Sequence, residues 1–166
     1  MPALHDSSVL VALFRHHLWA NLRLLDACAA LTDAQLGADA VGTRGSIADT
    51  LRHIFGNEEF YLGHITGRYP DPPLPREGFA GFATLREHAR ASGEGLIALA
   101  ATAQATDVVQ TEWQGRTEDV QVGIILIQAI NHATEHRTQI KTILTQIGVT
   151  PPEIDGWTYN QAADEE

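Results

Sequence analysis

Three histidines stand at spacings that can do chemistry. His132 and His136 lie four residues apart in a segment of strong helical periodicity. On an α-helix that offset turns two side chains only about 40° apart with a rise of about 6 Å, so both imidazoles share one face. Such a pair is a common two-ligand unit for a divalent ion. His53 falls in a different helical segment, on a stripe with Asp49 and Asn57 beside Leu51, Ile54 and Phe55. It can face the pair if the two helices pack together. Burying three unpaired imidazoles would cost roughly several kcal/mol, and coordination removes that cost because ring nitrogens become ligands. A metal-free reading treats the same residues as polar core groups satisfied by hydrogen bonds.

A competing pattern overlaps this one. His132-Ala133-Thr134-Glu135-His136 spells H-x-x-E-H, the inverted zincin motif in which the glutamate activates water. That chemistry needs a further acidic ligand downstream, and none of the acidic side chains in the 30 residues after His136 lies on an evident helix. Glu135 also sits about 100° around the helix from His136 and about 60° from His132, so it flanks the pair. The expectation is that Glu135 is not a water-activating base. Of the eight histidines, His5, His16, His17, His64 and His88 read first as solvated or structural. His17 falls on the apolar face of its helix, where it could line the same cavity as the triad. Cys28 reads as a small buried hydrophobe. No glycine-rich phosphate loop and no G-x-S-x-G elbow is present.

The elements that must position these groups are helical. Ser8 to Leu31 carries Leu10, Phe14, His17, Leu18, Asn21, Leu24, Leu25 and Cys28 at three- and four-residue steps. Thr32 to Gln35 resembles a capping box opening a short turn. A second long helix starts at Ser46, with Asp49 as its acidic partner, and runs through Glu58 to Ile65, with Gly67 as its stop. Pro70, Pro72, Pro73 and Pro75 make Arg68 to Gly78 a long crossover loop. A weaker third helix runs from about Phe82 to Ala105, interrupted in pattern by Gly93 and Gly95. Val108 to Trp113 and Thr117 to Val120 flank Gly115 as a small hairpin. Gln121 to Ile147 is the strongest helical pattern, closed by Gly148 and Pro151-Pro152, and the tail from Glu153 reads as irregular. The fold class is therefore all-α: a four-helix bundle with one long crossover and a β-hairpin before the last helix, residues 1–166 forming one domain.

Composition narrows the function classes. The 166 residues carry 11 basic and 21 acidic side chains, a formal charge of −10, and Lys141 is the only lysine. An acidic chain without a basic stripe repels phosphate backbones, so no nucleic-acid partner is expected. One cysteine excludes an internal disulfide and a multi-thiolate metal site. The opening residues lack a basic segment followed by an apolar run, and no apolar stretch of about 18 residues occurs, so neither a secretory signal nor a membrane partner is expected and the default location is the cytoplasm.

Several blocks resemble the DinB/YfiT-like family. They are Leu18-Trp19-Ala20-Asn21 with Leu24-Leu25; Gly45 to Ile54 with Glu58-Glu59 and Gly67; and Ile130 to Ile140 with Gly148, Pro151-Pro152 and Asp155. The resemblance spans about Leu10 to Tyr159, and its middle third adds little. It implies a four-helix bundle, often a homodimer, with one divalent metal ion per chain, zinc or nickel, on His53, His132 and His136. Relatives include thiol-dependent S-transferases and a thiol-dependent isomerase, while many members have no known reaction. No residue matches a family-wide catalytic base. The expectation is a metal-dependent enzyme acting on a small-molecule substrate, with a low-molecular-weight thiol as partner, by transfer or hydrolysis. The alternative is a metal-binding or stress-response protein without turnover.

Overall fold

The computed structural model describes residues 8–113 and 115–163; His5 and the opening residues lie outside them. Its elements are α1 (Val9–Cys28), α2 (Asp33–Leu36), α3 (Ile47–Thr66), α4 (Phe82–Thr102), β1 (Val108–Trp113), β2 (Arg116–Gln121), α5 (Val122–Gln146) and α6 (Gly156–Ala163). Helix α1 packs on α4 and α5, and α3 packs on the same two, so the long helices form a ring in the order α1, α4, α3, α5. The strands pair antiparallel from Val108↔Gln121 to Trp113↔Arg116, around Gly115 in left-handed conformation.

The boundaries follow from local chemistry. The Ser46 hydroxyl accepts from Asp49 N at 3.1 Å and donates to Asp49 Oδ2 at 2.8 Å, which starts α3 where the sequence places it. Gly67 ends α3 with φ 70°, a conformation that suits a residue without Cβ. Helix α1 stops at Cys28 rather than Leu31, because Thr32 must be extended (φ −73°, ψ 161°) to form the capping box of α2. Helix α4 stops at Thr102 rather than Ala105, since Ala103 turns extended and Ala105 O accepts from Gly123 N to join the start of α5.

The irregular tail expected from Glu153 is a misreading: Gly156–Ala163 is helical. Asp155 Oδ1 caps it by accepting from Thr158 N at 2.8 Å, and Tyr159 packs on Trp19 and His16 with ring centroids 5.1 and 5.5 Å away. Eight residues are too few for hydrophobic periodicity to register, so the signal is tertiary.

Two apolar clusters fill the bundle. One gathers Leu24 and Leu25, Leu51 and Phe55, Leu85, and Ile140 with Leu144; the other gathers Val11 and Phe14, Leu96, and Val122 with Leu126. Between them lies a buried polar layer of His17 and Asn21 on α1, Glu58 on α3, Ser92 on α4 and Arg137 on α5. Leu74 from the proline-rich segment is buried in the first cluster and pins that segment to the bundle.

The glycines that weaken the α4 pattern have a packing cause. A Cβ on Gly95 would run into Leu62 of α3, and one on Gly93 would lie 2.6 Å from Leu18 Cδ1 and 3.1 Å from Leu18 Cβ of α1. The helices approach closely here because side chains are missing. Gly93→Ala, which would gain about 1 kcal/mol in an open helix, is expected instead to destabilise by about 1–3 kcal/mol through overpacking. Urea denaturation reads this, and the penalty should shrink in a Leu18→Ala background.

Candidate metal centre

Helix α3 carries His53 in its second turn and α5 carries His132 and His136, and packing of α3 on α5 brings the three together. One ligand-capable atom from each lies within 4.8 Å of the others. The His53 and His132 Nε2 atoms are 3.0 Å apart. Ring centroids are separated by 4.8 Å for His53–His132, 4.8 Å for His53–His136 and 4.5 Å for His132–His136. His136 is buried and the other two are half-buried.

Neighbours orient the rings. His136 Nδ1–H donates to Gln139 Oε1 at 2.9 Å, which leaves the lone pair on Nε2. Gln139 Oε1 also accepts from Arg44 N at 3.0 Å, tying the site to the loop before α3. Asn57 Nδ2 donates to His53 O at 2.8 Å and to His53 Nδ1 at 3.0 Å, which holds the ring against α3 with its proton on Nε2; coordination through Nε2 requires the other tautomer and a turn of the Asn57 amide. His132 packs edge-on against Tyr61, and its buried Nδ1 has no hydrogen-bond partner among the described residues.

These residues fit a divalent cation. Two nitrogens each about 2.1 Å from one ion stand about 3.4 Å apart in tetrahedral geometry, a few tenths of an ångström beyond the 3.0 Å His53–His132 spacing. Burial, with Arg44 and the neighbouring imidazoles adding to it, pushes His53 down to about 4. Burial and then His136 push His132 down to about 4. Both rings are therefore neutral near pH 7, the state a metal ligand requires.

The other sequence candidates lie elsewhere. His17 does not join the triad: its Nε2–H donates to Glu58 Oε1 at 2.8 Å inside the polar layer. His16 bonds Ile154 O at 2.9 Å, His88 pairs with Glu59 across α4 and α3, and His64 packs edge-on against Phe60. Glu135 is exposed to solvent. Cys28 is fully buried, and desolvation pushes its thiol up to about 12, so it is inert as a nucleophile.

Sequence reasoning missed the polar layer around Glu58. Its Oε1 accepts from His17 Nε2 and, at 2.7 Å, from Asn21 Nδ2, while Oε2 accepts from Ser92 Oγ at 3.0 Å. Burial alone would raise this carboxyl, but His17, Asn21 and Ser92 together hold it below the ordinary range. Arg137 closes the layer by donating from Nη1 to Asn21 Oδ1 and from Nη2 to Thr134 Oγ1, each at 2.8 Å. The available signal was a glutamate and an arginine inside stripes that are otherwise apolar.

The sequence profile of the DinB family matches residues 4–166. The chain belongs to the DinB family. Among solved structures, a crystal structure of a DinB-like protein from Bacillus cereus ATCC 10987 superposes with a TM-score of 0.59 at 21% identity, covering 87% of this chain and 94% of that one. At that identity the likeness shows the fold. No curated relative matches the chain. Within this DinB-family bundle, the three histidines form a cluster that could hold a metal ion.

The depressed histidines make an acid-stability prediction for metal-free protein. Their folded pKa values, about 4, lie below the unfolded value of 6.5, so on acidification the unfolded chain takes up protons that the folded chain refuses. Stability should fall as pH drops from about 6.5 towards 4. Denaturant midpoints at about pH 7.5 and pH 5 should differ less in a His53→Gln/His132→Gln variant than in the parent. Equal losses would assign the acid sensitivity to other groups.

Proposed function

We propose that this DinB-family protein is a metal-dependent enzyme that binds one divalent ion, zinc or nickel, through His53, His132 and His136 and acts on a small molecule. Thiol transfer is the favoured reaction and hydrolysis the alternative. The observation that carries the reading is the convergence of three imidazoles between α3 and α5, two of them held neutral. Three neutral nitrogen ligands are the catalytic kind of site, because they leave a coordination position open. An ion so held supplies Lewis acidity that lowers the pKa of a bound water or thiol, or polarises a carbonyl.

The surroundings support a small substrate. A cleft of about 380 Å³ lies beside His53 and Asn57, walled by Phe60 and by Leu74 and Arg76 of the proline-rich segment. Glu59 lines it too and is paired with His88. The buried Nε–H of Arg52, a residue of the same wall, has no acceptor among the described residues. Gln139 keeps the ring of His136 in place through the Nδ1–H bond that leaves Nε2 free.

Elemental analysis of protein prepared without a polyhistidine tag should find about one divalent ion per chain, with binding weakened by about 100-fold or more in each of His53→Ala, His132→Ala and His136→Ala. Equal metal in all three variants would end the proposal. With cobalt as the bound ion, a low-molecular-weight thiol should shift the visible spectrum, and Cys28→Ser should leave that shift intact. A thiol panel that gives neither a shift nor turnover with electrophiles would favour a metal-binding protein without turnover.

Glu135→Gln should keep both metal and activity, because the carboxylate faces solvent. A peptidase activity abolished by that change would restore the inverted zincin reading.

A further inference from the structure

The polar layer reaches the surface on the flank of α5 away from the histidine cluster. A cleft of about 290 Å³ lies between α1, α5 and the segment before α6, with apolar walls from Leu13, Ile130 and Ile154. Arg137 and Lys141 line it as well, and none of His53, His132 and His136 does. Arg137 is only 5% exposed. Of the five N–H groups of its guanidinium, Nη1 offers one to Asn21 Oδ1 and one, at 3.4 Å, to His17 Nδ1, and Nη2 offers one to Thr134 Oγ1. The Nε–H and one Nη2–H have no acceptor among the described residues. No carboxylate there forms an ion pair with Arg137, because Glu58 reaches it only through Asn21 and His17. Lys141, one turn further along α5, is likewise in no ion pair among the described residues. Asp155, the acid lining the cleft, has Oδ1 engaged on Thr158 N as the cap of α6.

A buried guanidinium with spare donors, an ammonium on the same wall and apolar sides together complement one ligand chemistry. The charged end of a carboxylate satisfies the donors, and a short hydrocarbon body covers Leu13, Ile130 and Ile154. We infer that this cleft is a binding site for a small organic carboxylate, separate from the histidine cluster. In a chain of net charge −10, the local cations are what allow an anion to approach at all.

The test is isothermal titration of metal-free and metal-loaded protein with sodium butanoate, using butanamide as the uncharged control. Saturable one-to-one binding of butanoate, with none of the amide, is expected. Lys141→Gln should weaken it by about fivefold to tenfold, the loss of one partly exposed charge-assisted bond. Leu13→Trp should block the cleft, and His132→Ala should change nothing. Lys141 and Leu13 lie outside the buried layer's hydrogen bonds, so these variants keep the fold where Arg137→Gln would leave Asn21 and His17 unpartnered. The inference is overturned by the absence of saturable binding, by binding that survives both Lys141→Gln and Leu13→Trp, or by binding lost in His132→Ala, which would place the anion at the histidine cluster instead.

Discussion

The buried carboxylate of Glu58 is the constraint on which the bundle depends. An ionised carboxylate sealed between four helices is tolerable only when its oxygens are satisfied, and here each long helix contributes to that condition: α3 supplies the charge, α1 supplies His17 and Asn21, α4 supplies Ser92, and α5 supplies Arg137 through Asn21 and His17. Apolar packing alone leaves helices free to rotate and slide among similar arrangements, since hydrocarbon contacts are not directional. Hydrogen bonds of 2.7–3.0 Å are directional, so the layer selects one rotation of each helix.

That selection places the histidine cluster. Glu58 follows His53 by five residues on α3, an offset of about 140° around the helix, so fixing Glu58 towards the interior turns His53 towards α5. Arg137 follows His136 directly on α5, about 100° around. Holding Arg137 on Asn21 presents His132 and His136 to α3. The polar layer and the triad are thus two readouts of the same pair of helix rotations. The triad adds its own fine adjustment, with Asn57 and Gln139 each reaching a histidine nitrogen on its own helix.

The surroundings divide the molecule's chemistry between the two flanks of α5. On the α3 side, burial keeps His53 and His132 neutral and the proline-rich segment walls a cleft of mixed polarity. On the α1 side, a guanidinium with unused donors lies under apolar walls. Helix α6 matters to the second flank only, because its cap residue Asp155 and the preceding Ile154 build one side of that cleft.

Much of the fold was legible in the residues. Ser46 and Gly67 mark α3 because capping and left-handed geometry are local demands that a few neighbouring residues meet or fail to meet. The stripes of α1 and α5 are long enough for a 3.6-residue period to stand out, and the i, i+4 spacing of His132 and His136 is a property of any helix. The pairing of His53 with them was suggested by type and stripe, but contact across 79 residues depends on which helices pack and in what rotation. The same limit hid α6, whose anchor is Tyr159 on Trp19, and the role of Gly93, whose missing Cβ matters only because Leu18 comes to rest there. It also hid the tie from Glu58 to Arg137. Local sequence determined where helices begin, end and turn their apolar faces. Only the tertiary structure decided which polar groups those faces bury together, because the requirement to satisfy a buried charge acts between segments that are remote in the chain.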